Sequence, residues 1–319
     1  MKNKSLLIHI LRLVFIVICY MLYVTGASAQ QISVFFTPIL NEIAVKPGQS
    51  IDLQYRLNNN GDPAIIKLRI LPFEPEGNSG NIKIISSLQS PIEFSLQHQE
   101  IQLEKPFFLQ SSTSKQFNLN IAIPEYASGK DYYFGLVAET QPPPLQEGAV
   151  SLRSKTSVIS KILLMVTKDG SLEIKPQINL FEVVPTHKIN LFGMNVNLID
   201  SLKPIPVVLS LDNIGNNLIK ARGEIILRGP FWQSKSIDFK PKTILARSQR
   251  QTKIEFPGKL IGNYRLSANL SFGEGTPTVF ASTSLTVLPV KITIFLFTII
   301  SLLLLYIRLM HKRYYTSID

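Results

Sequence analysis

Ser50-Ile51-Asp52-Leu53-Gln54-Tyr55-Arg56-Leu57-Asn58-Asn59-Asn60-Gly61 sets the fold class of this chain. Ile51, Leu53, Tyr55 and Leu57 alternate with Asp52, Gln54 and Arg56, the period of a strand with one face in a core and the other in water. The Asn-Gly stretch that follows is turn chemistry, since Asn and Gly tolerate left-handed backbone. The same alternation returns at Phe117, Leu119, Ile121 and Ile123. Turn formers separate such runs at residues 46–48, 58–63, 75–81, 111–114 and 127–130. No capped amphipathic stretch of helical length intervenes. Residues 132–137 and 158–166 are apolar enough to be the more buried, late strands of an antiparallel sandwich.

Lys168-Asp169-Gly170-Ser171 is a polar break, and alternation resumes after it. Val207, Leu209 and Leu211 lead into Asp212-Asn213-Ile214-Gly215-Asn216, and further strands are expected at 221–227, 234–239, 252–256, 264–272 and 279–287. The halves echo one another. Leu57 to Asp62 corresponds to Leu211 to Asn216, and Ile123-Pro124 with Gly129-Lys130-Asp131-Tyr132 corresponds to Phe256-Pro257 with Gly262-Asn263-Tyr264. The proline and glycine offsets are equal, while the Asn-Gly offset is larger, so the first half holds extra residues between its early and late strands. A tyrosine after the glycine is placed to bond a backbone carbonyl at a strand corner, as in immunoglobulin-like folds. The expected fold is all-β: two immunoglobulin-like sandwiches in tandem, over residues 30–168 and 172–289.

Residues 290–307 (VKITIFLFTIISLLLLYI) break the pattern. Thirteen of these eighteen residues are Val, Ile, Leu or Phe, enough for roughly −4 to −8 kcal/mol of insertion free energy. Arg308, His311, Lys312 and Arg313 follow at once. The expectation is a transmembrane helix over 290–308 and a basic cytoplasmic tail over 309–319. At the other end, Lys2, Lys4 and Arg12 precede an apolar run and Ala27-Ser28-Ala29, the layout of a signal peptide over 1–29. Both ends place the region between them outside the cell membrane.

Cys19 is the only cysteine, and it lies in the leader. Disulfides, thiolate metal sites and cysteine nucleophiles are thereby excluded from the mature chain, which points to a bacterial surface. Of 33 basic residues, three lie in the leader and four flank the span (Lys291, Arg308, Lys312, Arg313). Of 22 acidic residues one, Asp319, lies in the tail, so the exported part carries 26 against 21, a net of +5. Its basic residues are scattered, with no run suited to a nucleic-acid track.

The chemistry-bearing residues are sparse. His98 and His187 are the only histidines between leader and span, and each is expected in a polar loop. HExxH, G-x-S-x-G and Walker-type glycine loops are absent. Glu74 and Glu76 flank Pro75 as plain surface charge rather than a carboxylate pair for glycoside cleavage. No cofactor or metal and no enzymatic activity is expected. The candidate binding residues are Phe231 and Trp232, an aromatic pair after Gly229-Pro230, and Pro142, Pro143 and Pro144, which cannot pair within a sheet.

Taken together, Pro47-Gly48-Gln49, Asn58 to Gly61, Gly129 to Gly135, Asn213 to Asn216 and a C-terminal helix with a basic tail resemble the WxL-interacting protein family of Gram-positive surfaces. The resemblance implies a peptidoglycan-binding first domain, a second domain that binds host or matrix proteins, and a membrane anchor. Pro38-Ile39-Leu40-Asn41-Glu42 departs from that family's pattern. The expected function is a membrane-anchored, non-enzymatic surface protein that attaches to wall polymer or to another surface protein. The alternatives are an assembly factor resembling pilus chaperones, which add a strand to a client's edge, and an accessory ectodomain of a membrane complex.

Overall fold

The computed structural model describes residue 15 and residues 31–87, 89–141, 156–191, 194–201, 203–230, 234–258, 261–273 and 276–315. The signal peptide expected over 1–29, apart from residue 15, lies outside this set.

Alternation becomes strand wherever one face can be buried. In the first sandwich β1 (Val34–Thr37), β3 (Ser50–Asn59), β8 (Thr113–Ala122) and β6 (Glu93–Gln97) form one sheet in the order β1-β3-β8-β6. The facing sheet runs β2-β10-β9-β4-β5, from β2 (Leu40–Val45), β10 (Ser157–Val166), β9 (Asp131–Gln141), β4 (Ala64–Glu76) and β5 (Asn81–Ile84), and β7 (Pro106–Leu109) also pairs with β4. The register sets Tyr55 opposite Phe117 and Leu53 opposite Leu119, so the two alternating runs share one inward face. Tyr55 stacks on Phe117 at 6.0 Å and meets Phe36 edge-on at 6.1 Å; such pairs are worth about 0.5–1.5 kcal/mol beyond area burial.

The second sandwich repeats the plan. β11 (Pro176–Val183), β14 (Ile205–Asn213) and β17 (Ser248–Phe256) make one sheet. The other runs β12-β13-β19-β18-β15-β16, from β12 (His187–Leu191), β13 (Met194–Asp200), β19 (Val279–Leu288), β18 (Gly262–Ser271), β15 (Ile219–Arg228) and β16 (Ser234–Ile244). In each sandwich the leading strand changes sheets, so that β2 lies parallel to β10 and β13 parallel to β19. The extra residues of the first half form β5 and β6, for which the second sandwich has only β16 between β15 and β17. The tyrosine corner is present in both: Tyr132 OH donates to Ser128 O and Tyr264 OH to Ile261 O, each at 3.4 Å.

The two Asn-Gly turns share one hydrogen-bond plan, with the first acceptor one residue further on in the second. Buried Asn59 donates Nδ2 to Asp62 O (2.8 Å) and Gln110 O (3.0 Å), and accepts from Gly61 N (3.0 Å). Buried Asn213 donates to Asn217 O (2.8 Å) and Leu245 O (3.0 Å), and accepts from Gly215 N (3.1 Å). The left-handed backbone expected at these glycines is not found, since neither has a positive φ. Glycine is needed instead for close approach: a Cβ would overlap Gln31 O at Gly61 and Glu173 O at Gly215. The left-handed positions fall on Ser112 (φ 54°) and Arg247 (φ 52°), in the connections that cross between the two sheets beside each knot.

Three local expectations are corrected. His187 opens strand β12 rather than sitting in a loop. Glu74 and Glu76 lie in the strand β4, which runs past Pro75 and pairs with β5 down to Asn81. The helix α1 (Val290–Tyr315) does not stop at 308 but continues through the basic residues.

Residues 290–309 of α1 have mean hydropathy 2.4 and are 0% buried, and at 1.5 Å per residue they span about 30 Å, the thickness of a hydrocarbon core. No residue of α1 belongs to either core, so both sandwiches close without it.

Ladder directions place the elements along one axis. Asp200, Gly262, Arg228, Ser234, Val183 and Phe256 all end or begin strands at the end from which Leu288 leads into α1. The Asn213 turn lies at the opposite end and meets the first sandwich. The Asn59 turn lies one sandwich further away.

Candidate functional site

The junction between the sandwiches is the first place where unusual chemistry collects. Asp131, buried at the start of β9, accepts from Asn217 Nδ2 (2.7 Å), Leu218 N (2.5 Å) and Tyr133 OH (2.7 Å). Tyr133 OH in turn accepts from Ala246 N (2.8 Å), and its ring stacks on Phe73 at 5.8 Å. Burial pushes the Asp131 carboxyl above the ordinary carboxylate range against the pull of these donors, and burial pushes the Tyr133 hydroxyl up as well. Phe73, Leu163 and Leu218 close the junction with a small apolar cluster. Glu42 pairs with Lys220, and the β4–β5 hairpin reaches across, Asn78 O accepting from Gln251 N at 2.6 Å. This is structural chemistry, a clasp whose groups are all occupied. The sequence carries a trace of it: Gly129 to Tyr132 holds one more residue than Gly262 to Tyr264.

Beside the clasp an open groove of about 650 Å³ runs between Pro72, Ser90, Pro91 and the segment Tyr126 to Tyr133. Tyr126 stands on its rim, 78% exposed, and the Lys130 ammonium lies 5.2 Å from the Tyr132 ring centre. His98, expected in a solvated loop, has its Nδ1 occupied by Glu100 N and Ile101 N, both at 3.0 Å, and so fixes a bend. Among the described residues no group of three or more His, Cys, Asp or Glu could hold a metal.

The remaining feature is backbone. β13 pairs with β19 only at Thr286, Val287 and Leu288, which leaves residues 279–285 without a ladder partner on that side among the described residues. Leu288 O accepts from Ser201 N on this side, so strand alternation turns the N–H and C=O of Phe280, Ser282 and Ser284 the same way. Three other edges carry features that commonly protect a sheet edge, namely charge, proline, shortness or a neighbouring hairpin. β16 carries Lys235, Lys240, Pro241 and Lys242, β6 is short and begins with Glu93, and β17 is covered by the Asn78 hairpin. Residues 279–285 (VFASTSL) hold no charge and no proline, and Phe280 is 66% exposed. The equivalent stretch of β10 is shorter: Lys161 N already donates to Ile39 O, which leaves only 157–160 open.

Phe231, Trp232, Pro142, Pro143 and Pro144 lie outside the described residues. Gly229, just before the aromatic pair, packs so closely on the Tyr264 ring that a Cβ would overlap it. The sequence reading missed the β19 edge, although an uncharged Ser/Thr-rich strand among lysine-bearing ones was a visible signal.

No known family pattern matches the chain, and no curated protein matches it. Solved structures overlap it in layout. The class 5 fimbriae chaperone CfaA is 12% identical, with 80% of this chain and 100% of that one covered at a TM-score of 0.37. A chaperone–tip subunit complex of the Csu pili of Acinetobacter baumannii gives 13%, 80% and 99% at 0.36. The E. coli chaperone DraB gives 13%, 81% and 99% at 0.36. Likeness at these scores is one of overall layout and says nothing of ligand. The chain is an all-β protein of two immunoglobulin-like sandwiches with one C-terminal apolar helix.

Proposed function

We propose that the protein is a membrane-tethered, non-catalytic binding protein that holds a segment of another surface protein. α1 serves as the single anchor, with the sandwiches outside the cell and the basic end of α1 in the cytoplasm. The observation that carries the reading is the uncharged, proline-free stretch 279–285, which has no ladder partner beside β13, although β11 of the other sheet passes close to it. An extended client segment adds a strand there, taking its affinity from main-chain hydrogen bonds at Phe280, Ser282 and Ser284 and its selectivity from the Phe280 side chain. This is the assembly-factor form of the function, ahead of the accessory-subunit form. Pro142 to Pro144, and Phe231 with Trp232, are proposed as auxiliary contacts.

The mature chain has no cysteine, so a Ser282→Cys variant carries a photo-crosslinker at one site on cells. Ser95→Cys on β6 is the control. Crosslinking to one defined polypeptide from position 282, absent from position 95 and lost on adding Phe280→Lys, is the expected result. Equal yields from both positions would overturn the proposal.

Attachment to wall polymer is a second reading, drawn from the Tyr126 groove, whose aromatic rim and serine hydroxyls suit a glycan face. Retention of the ectodomain on insoluble peptidoglycan, lost in Tyr126→Ala, tests it.

A further inference from the structure

The end of the second sandwich next to α1 is built unlike the other end. Five connections leave the sandwich there: from β11 to β12, β13 to β14, β15 to β16 and β17 to β18, and the single proline between β19 and α1. Three of them, with the end of β19, present apolar or basic side chains outward. Val184 is 47% exposed, Ile261 61% and Leu288 38%, and Lys203 is exposed beside Gly258, where a Cβ would overlap the Lys203 carbonyl. Lys291 follows in the first turn of α1.

Behind this rim Arg228 and Arg265 are direct cross-strand partners, both exposed. Like charges set opposite one another on a sheet repel, and neither forms an ion pair among the described residues. Asp200 at this end is buried, and the exposed Glu182 and Glu255 sit on the opposite sheet, one residue inside their strand ends. The end is therefore basic, with isolated apolar tips.

We propose that this end is a second membrane contact, docking on an anionic phospholipid surface. Ile261 and Val184 enter the headgroup layer, and Lys203, Arg228 and Arg265 lie over the lipid phosphates. The occupant follows from position. Gly262 pairs with Val287, three residues before α1 begins, so a bilayer crossed by α1 has its surface at Ile261. Basic residues close to an anionic surface each raise partitioning roughly fivefold, within about a Debye length. Contact at this end converts a flexible tether into a fixed orientation, holding the β19 edge at a set height above the lipid.

The proposal rests on α1 as the anchor, so its test leaves α1 out. The ectodomain 31–288, whose cores close without the helix, is sedimented with vesicles of phosphatidylcholine alone or mixed with phosphatidylserine. Binding is expected only to the anionic vesicles, falling with salt. The double variant Arg228→Gln/Arg265→Gln should bind roughly twentyfold more weakly, and Ile261→Ser should weaken it further, with unchanged melting temperatures. Absence of anionic-vesicle binding, binding indifferent to the arginine changes, or variant-sensitive binding to anionic wall polymer but not to vesicles would each overturn it. Failure of the anchor itself shows separately, as release of the full chain from membranes by alkaline carbonate.

Discussion

The two sandwiches share one ladder plan and one buried asparagine knot, yet the equivalent ends have different fates. The Asn213 knot lies under the first sandwich, where the neighbouring Asn217 and Leu218 are gripped by Asp131. Among the described residues the Asn59 knot, at the far end of the first sandwich, is capped from within that sandwich, Asp62 Oδ2 accepting from Gln31 N at 2.8 Å. The same motif is thus a joint in one copy and a tip in the other. The difference shows that the knot shapes a turn, while docking comes from residues outside the repeat: Asp131, Tyr133 and the β4–β5 hairpin.

The hardest way to break this comparison is to remove the knots. Asn59→Ala and Asn213→Ala each strand several buried polar groups and should cost about 3–5 kcal/mol. Calorimetry should show Asn59→Ala lowering the first sandwich alone, and Asn213→Ala loosening the joint as well. Asp131→Ala acts on the joint only. It leaves Leu218 N and Asn217 Nδ2 buried without an acceptor, an expected loss of about 2–3 kcal/mol, read as one cooperative transition splitting into two.

The pH dependence of the joint sharpens the point. The folded Asp131 carboxyl titrates above its unfolded value, so the folded state binds the extra proton in the window between the two. Its contribution is full below the ordinary aspartate value near about 3.9, and it declines as pH rises through the raised one. The melting-temperature gap between the wild type and Asp131→Ala should therefore narrow with rising pH across that window. Asn78→Ala, which removes the exposed 2.9 Å contact to Gln251 Oε1, should cost only about 0.5 kcal/mol.

Much of the fold was legible because strand period and turn chemistry are local. Ile51 to Leu57 and Phe117 to Ile123 alternate in the sequence and pair in register in the structure. The β12–β13 hairpin was legible and was missed: Ile189 and Leu191, then Met194, Val196 and Leu198, alternate with Asn190, Asn195 and Asn197. The Asn-Gly turns were located correctly but explained wrongly: steric approach of the Gln31 and Glu173 carbonyls cannot be read from glycine alone. The clasp and the open edge depend on which strands become neighbours, a property of topology. What was legible of the edge was its composition, uncharged and proline-free from Val279 to Leu285.

The central claim, an unpaired edge on β19, is tested most directly by residue-resolved amide hydrogen exchange on the isolated fragment 31–288. Phe280, Ser282 and Ser284 should exchange fast while Ala281, Thr283 and Leu285, bonded toward β18, exchange slowly. Uniform slow exchange along residues 280–285 would mean that the edge is already covered, and the client-binding role would have to be abandoned.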